Sequence, residues 1–388
     1  MRVIAFACTA LLLSTFAFAA DPGVSDTEIK VGDVNILTGP AAFVGKGFSL
    51  GSKIAAAEIN AAGGINGRKL TVITEDDGYV PARSFQALTK LIEVDKIFAL
   101  NGTSGTANAL AMMPLITENN LPTVVTEAPA GLVYTPVRPS VFTFGAKYED
   151  AFYAQLKYIH DKVAAKDAVY GLIRQDDDFG KDVEAGFDRA VKEFGVKAPI
   201  RITFKRGTTN FSVEIAQMRQ AGVTVLANGG ILAAAANILA EARKLDMKIQ
   251  SAGAWTENVP ASAALSAPAG YDFMVADYVS LKGPANDKFK ALAQKFVTDD
   301  ELPSVSRYTY VAYIGLKTLA EGMRQCGKEL TRACTIEKLR ALKNFETGGL
   351  SAPISFDNPQ QLSGTAVRVY QYDVKASGFK ALSDFNQY

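Results

Sequence analysis

Thr103, Ser104 and Thr106 stand together in "FALNGTSGTANALA", where a short apolar run stops at Asn101-Gly102 and a segment with helical spacing begins. A strand end facing a helix start leaves backbone amides free, and free amides at a helix N-terminus bind anions. No G-x-x-x-x-G-K-[ST] pattern and no following lysine are present, so a carboxylate suits the loop better than a nucleotide phosphate. Covalent and acid–base chemistry find little support. His160 is the chain's one histidine and falls mid-helix in "LKYIHDKVAA", so Ser-His-Asp and Cys-His schemes lack a general base. "RQDDDFGKD" fails as a calcium loop, because counting from Asp176 puts Gly180 at the fifth ligand position. It reads instead as a solvated turn whose acids favour a helix N-terminus, with Phe179 either capping that helix or facing a cleft. Trp255, in "GAWTEN", is either a core residue or an aromatic floor. No catalytic residue, cofactor or metal site is expected.

Composition narrows the class further. The 388 residues are 48% hydrophobic and 21% charged with a formal charge of +1, which fits a soluble globular chain and gives no electrostatic footprint for nucleic acid. Residues 1–20 read as a cleavable secretory signal: Arg2, an apolar run from Val3 to Leu13, and Ala17-Phe18-Ala19 as the small-x-small site. The mature chain is expected to begin near Ala20 or Asp21 and to be exported. Cys8 lies inside the signal; Cys326 and Cys334 remain, and export makes their disulfide the expected state, with unlinked thiols as the alternative.

The elements that must position these residues alternate. "IKVGDV", "KLTVIT", "KIFAL" and "PTVVT" are strand-like, and runs of helical spacing separate them. The pattern repeats through "DAVYGLI", "RITFK" and "VTVLANGG". Strands separated by helices pair in parallel through right-handed crossovers, so two α/β lobes are expected. Long helices near 285–298 and 305–325, a short one at 335–343, and strands at "PISF" and "AVRVYQYDV" complete the expectation. Gly, Ser and Thr gather at the strand ends ("ILTGPAA", "NGTSGT", "TEAPAG", "ANGGIL", "AGAWTEN"), where open α/β sheets bind ligands.

The stretch from "IKVGDVNILTGPAAFVGKGFSLG" through "EINAAGGINGRKL" and "EDDGYVPARS" resembles the type I periplasmic solute-binding proteins of ABC importers, in particular the leucine/isoleucine/valine-binding family. The resemblance continues through "VYGLIRQDDDFGKDVEAGF", "GTTNFSVEIAQMRQAGVTVLANGG" and "PISFDNPQQLSG". It implies two Rossmann-like lobes with parallel-rich sheets and a three-crossing hinge near Phe144, Asp277 and Leu362: 21–144 plus 277–362, and 145–276 plus 363–388. It implies a carboxylate cradle at Thr103 and Ser104 with backbone contacts from Ala128 and Ala130, and a first-lobe wall of Phe43 and Val44. Phe179, Ile231 and Trp255 would close from the second lobe. Amino-acid binders of the family place an acid where this chain has Trp255, with Glu257 two residues later. The leading expectation is a monomeric importer component that captures a branched-chain or other apolar amino acid, with Glu257 pairing its ammonium, and delivers it to a membrane permease. An aromatic or aliphatic carboxylate without an ammonium is the alternative, and a ligand-sensing receptor domain the third.

Overall fold

The computed structural model describes residues 21–39, 41–102 and 105–388. The first half alternates as β1 (Glu28–Asn35), α1 (Ala42–Ala61), β2 (Lys69–Asp76), α2 (Pro81–Glu93), β3 (Ala99–Asn101), α3 (Thr106–Glu118), β4 (Thr123–Val125), α4 (Gly131–Tyr134) and β5 (Val141–Phe144). The pattern repeats as α5 (Tyr148–Lys162), β6 (Val169–Gln175), α6 (Asp178–Phe194), β7 (Lys197–Phe204), α7 (Ser212–Gln220), β8 (Val225–Gly229), α8 (Ala233–Lys244), β9 (Gln250–Gly253), α9 (Pro260–Ser266) and β10 (Phe273–Asp277). The chain ends with α10 (Pro284–Ala293), α11 (Arg307–Gln325), α12 (Arg332–Arg340), β11 (Leu362–Ser363), β12 (Arg368–Asp373) and β13 (Gly378–Ala381).

Two sheets result. One has the order β11-β5-β4-β3-β1-β2, and the other β13-β12-β10-β9-β8-β6-β7. The first is parallel throughout. In the second, only β12 and β13 run antiparallel to their neighbours. The strand order reverses between β1 and β3 in one sheet and between β6 and β8 in the other, so each sheet opens a crevice at its carboxyl edge. The chain passes from the first sheet to the second after Phe144 and again after Ser363, and leaves the second after Asp277 for helices on the first.

Two helices fix the first crevice. A Cβ on Gly51 of α1 would fall 2.3 Å from the Thr309 carbonyl oxygen and 2.8 Å from the Ala312 Cβ of α11. Glycine there lets the backbones touch and brings the start of α11, with Arg307 and Tyr308, to the sheet's carboxyl edge. Ser306 and Thr309 form a reciprocal capping box that starts α11 at this point. At its other end Cys326 is disulfide-bonded to Cys334 of α12, with Cα atoms 6.0 Å apart.

Three expectations are adjusted. The helix expected to 298 ends at Ala293, where tighter turns such as Lys295 N–H to Leu292 O take over. The short helix starts at Arg332, because the Thr331 hydroxyl caps it by accepting from the Cys334 amide. "PISF" forms no strand; Ile354 makes only an isolated bridge to Phe345. The expected signal, residues 1–20, lies outside the described residues, and among these no helix is long and apolar enough to cross a membrane.

Candidate functional site

The two carboxyl edges meet around a small cavity lined from both sheets. Loops of the first sheet supply Ile36 after β1, Tyr79 after β2, Gly105 and Thr106 after β3, and Glu127 after β4; α1 and α11 add Val44 and Tyr308. Across from them stand Tyr148 at the start of α5, Gln175 at the end of β6, Asp177 and Phe179 beyond it, Arg206 after β7, Ile231 and Leu232 after β8, and Thr256 after β9. The sequence repeat thus delivers one loop set per sheet, facing each other.

The wall is aromatic and hydroxylated. Phe179 meets Tyr148 edge-on at 4.8 Å between ring centroids. Among the described residues, no protein hydrogen-bond partner reaches the buried Thr106 Oγ1, Thr256 Oγ1 and Tyr308 Oη atoms. Buried polar groups are rarely left so, and these three point to polar atoms of a bound molecule. Thr106 opens α3, a 13-residue helix, so the free amides of its first turn add positive potential beside that hydroxyl.

The wall's carboxylates are already engaged. Arg307, fully buried, donates from Nη1 to Glu127 Oε1 at 2.5 Å, and from Nε and Nη2 to Asp277 at 2.9 and 3.0 Å. Glu127 also accepts from Trp255 Nε1 at 3.0 Å and from the Tyr278 hydroxyl at 3.0 Å. Burial pushes the Glu127 carboxyl up from its ordinary value while Arg307 opposes the shift. Asp177 caps α6 by accepting from the Gly180 amide, and takes Gln175 Nε2 at 2.7 Å and Arg206 Nη2 at 3.2 Å.

Of the residues expected from sequence, Val44, Phe179 and Ile231 line the cavity. Phe43 is half-buried and sits edge-on to Tyr308 at 6.1 Å, one layer out. Ala128 and Ala130 are fully buried in the loop after β4, beside the wall. Thr103 and Ser104 lie outside the described residues. Trp255 stands behind the wall: it stacks on Tyr148 at 4.5 Å and 18° and meets Tyr278 edge-on at 5.2 Å, so Tyr148 occupies the place expected for the indole. Glu257 is turned away. Its carboxylate accepts from the Leu232 amide at 3.1 Å and the Ser266 hydroxyl at 3.2 Å, and burial pushes it up to about 8. Leu232 needs that support, since it holds φ 54° and ψ −119°, a conformation costly for a branched side chain.

Sequence reasoning passed over Tyr79, Glu127, Tyr148, Arg206 and Arg307. Glu127 falls inside the quoted rim motif "TEAPAG" and Tyr79 inside "EDDGYVPARS", and a polar or aromatic residue just past a strand end was the available signal. Nothing local marks Arg307, whose partner Glu127 is 180 residues distant.

Two doubly wound sheets, three chain crossings and an enclosed cavity between carboxyl edges define a two-lobed solute-binding fold of the type I class. The family model described as "Periplasmic binding protein" matches residues 28–378, and the chain belongs to that family. It is 26% identical to the Leu/Ile/Val-binding protein of Citrobacter freundii, over 96% of this chain and 97% of the relative. Its fold is similar to that of a fatty acid ABC transporter substrate-binding protein from Thermomonospora curvata, with TM-score 0.81, 20% identity and 95% of each chain covered. It is also similar to an ABC transporter solute binding protein from R. palustris in complex with 4-hydroxybenzoate, with TM-score 0.82, 19% identity and 93% and 97% coverage.

Proposed function

We propose that this chain is the solute-capturing component of an ABC importer and not an enzyme. Residues 1–20 direct export and are removed, and the monomeric protein works in the periplasm. Lobes 21–144 plus 277–362 and 145–276 plus 363–388 close on a small carboxylate and present it to a membrane permease. The ligand carries an apolar, flat or branched body and no ammonium group. Its carboxylate rests on Thr103, Ser104, Thr106 and the amides of Ala128 and Ala130; its body meets Val44, Tyr148, Phe179 and Ile231.

One observation carries the choice of ligand. Glu127, Asp177 and Glu257 each already hold donors from the protein. An ammonium enclosed here without a carboxylate of its own would cost several kcal/mol, on the order of a buried unpaired charge. Among the described residues the unpartnered groups at the wall are hydroxyls, which donate to a ligand's carboxylate or carbonyl and donate to or accept from its hydroxyl.

Capture by closure predicts a change of shape. Small-angle scattering on the mature protein should give a smaller radius of gyration when a carboxylate of calorimetrically verified binding is saturating, because contacts from both lobes exist only when the cleft is shut. An unchanged radius at saturation would contradict closure.

A further inference from the structure

The outer wall of the cavity is built from Tyr79, in the loop after β2, and Arg206, in the loop after β7. They belong to opposite sheets. The Arg206 guanidinium lies 4.4 Å from the Tyr79 ring centroid, well inside the range of a cation–π contact. Neither residue is loosely placed. Tyr79 holds φ 64°, its amide donating to Asp77 Oδ1 at 2.8 Å. Asp77 is itself buried and accepts from the Ser84 hydroxyl at 2.7 Å and from Asn108 Nδ2 at 2.9 Å. Room for the ring exists because residue 105 is glycine: a Cβ there would fall 2.6 Å from Tyr79 Cε2. The ring therefore lies across the start of α3, with Arg206 on it. Arg206 also pairs with Asp177 of its own lobe, Nη2 to Oδ2 at 3.2 Å, and its side chain is 32% exposed.

We propose that Tyr79 and Arg206 form a clasp across the mouth of the cleft, which sets how long a bound anion stays. Opening the lobes leaves the Asp177–Arg206 pair intact and breaks only the stack on Tyr79. The clasp is then a term that exists in the closed state alone, and a contact of that kind slows escape without altering encounter. Three features make it more than incidental packing. The Tyr79 backbone is held in a conformation that non-glycine residues seldom adopt. A buried acid holds that turn in place. The ring also covers the helix end at which the carboxylate is proposed to rest, so escape of the ligand and release of the clasp are one motion. The proposal rests on the capture reading above.

The test uses the full mature protein and the tightest binder among benzoate, 4-hydroxybenzoate and a branched aliphatic acid, with dissociation followed by stopped-flow chase. Arg206→Ala and Tyr79→Leu should each raise the dissociation rate about three- to thirty-fold, as loss of a partly desolvated cation–π contact allows. The association rate should change less than two-fold. Tyr79→Phe, which keeps the ring, should match wild type, and the double variant Tyr79→Leu/Arg206→Ala should be no faster than either single one. Additive effects in the double variant, a change carried by association, or a Tyr79→Phe variant as fast as Tyr79→Leu would overturn the clasp. Should wild type bind none of these acids, the capture reading fails, and the clasp is read from the ligand-free protein instead. Spin labels on Ala62→Cys and Lys197→Cys, both exposed and one in each lobe, then report the lobe separation. A smaller short-distance population in Arg206→Ala supports the clasp; an unchanged distribution overturns it.

Discussion

Arg307→Met should remove about 3–5 kcal/mol of folding stability at neutral pH, because it strips the cation from two buried carboxylates. Arg307 is the meeting point of the molecule. It joins Glu127 on the cavity wall to Asp277, where the chain leaves the second sheet. Asn258 Nδ2 adds a bond to Asp277 at 2.9 Å, and the Trp255 indole one to Glu127. Methionine fills the space but supplies no donor. Packing loss and charge loss are separated by pH. In the variant no charge opposes the burial that already pushes Glu127 up from its ordinary value of 4.5, and only neutral donors such as the Tyr278 hydroxyl remain. A carboxyl whose folded pKa is raised contributes fully below its unfolded pKa and loses that contribution as pH rises. Urea unfolding should therefore show the largest deficit at pH 8 and a smaller one at pH 5. A deficit equal at both would assign it to packing alone. Adding Glu127→Gln should recover part of the loss at pH 8.

Glu257→Gln is expected to be silent in ligand binding and conspicuous in stability. Glu257 faces the Leu232 amide and the Ser266 hydroxyl, behind the cavity wall. Glutamine keeps an oxygen for the amide and carries no charge. Burial raises the Glu257 carboxyl from 4.5 to about 8, so the folded chain retains a proton that the unfolded chain releases. Its contribution is complete below about pH 4.5 and is lost as pH climbs through about 8. Wild type should thus fall behind Glu257→Gln by roughly 3–5 kcal/mol between pH 5 and pH 9, the size that a shift of this extent implies for a buried group. Urea midpoints at the two pH values measure it. A stability difference that does not move with pH would sink the assignment, and weakened carboxylate binding in Glu257→Gln would put the acid in the site after all.

The alternation of strands and helices was legible because each element carries its own apolar period, and the same local order produces both sheets. Val44, Phe179 and Ile231, which the family resemblance implied, line the cavity, whereas the residue pattern alone left Phe179 either capping its helix or facing the cleft. Trp255 and Glu257 sit at such an end too, yet they face the layer behind. The turn Trp255–Glu257 at the end of β9 sends Thr256 to the cavity and its neighbours away from it, a rotation that no residue spacing records. The Arg307 network was hidden for a different cause. Its members come from the loop after β4, the ends of β9 and β10, and the start of α11, and only the tertiary fold gathers them. The strained backbones of Tyr79 and Leu232 were equally silent, since neither residue type advertises a positive φ.

The central claim is that the cleft takes a carboxylate and excludes an ammonium. Isothermal calorimetry of ligand-free mature protein with benzoate, 4-hydroxybenzoate, a branched aliphatic acid, leucine and valine tests it in one series. The account predicts saturable heat from at least one simple acid, and binding of leucine and valine at least a hundred-fold weaker, as about 3 kcal/mol for an enclosed unpaired ammonium requires. Tight binding of leucine or valine, or no binding of any carboxylate alongside tight binding of a neutral sugar, would contradict it.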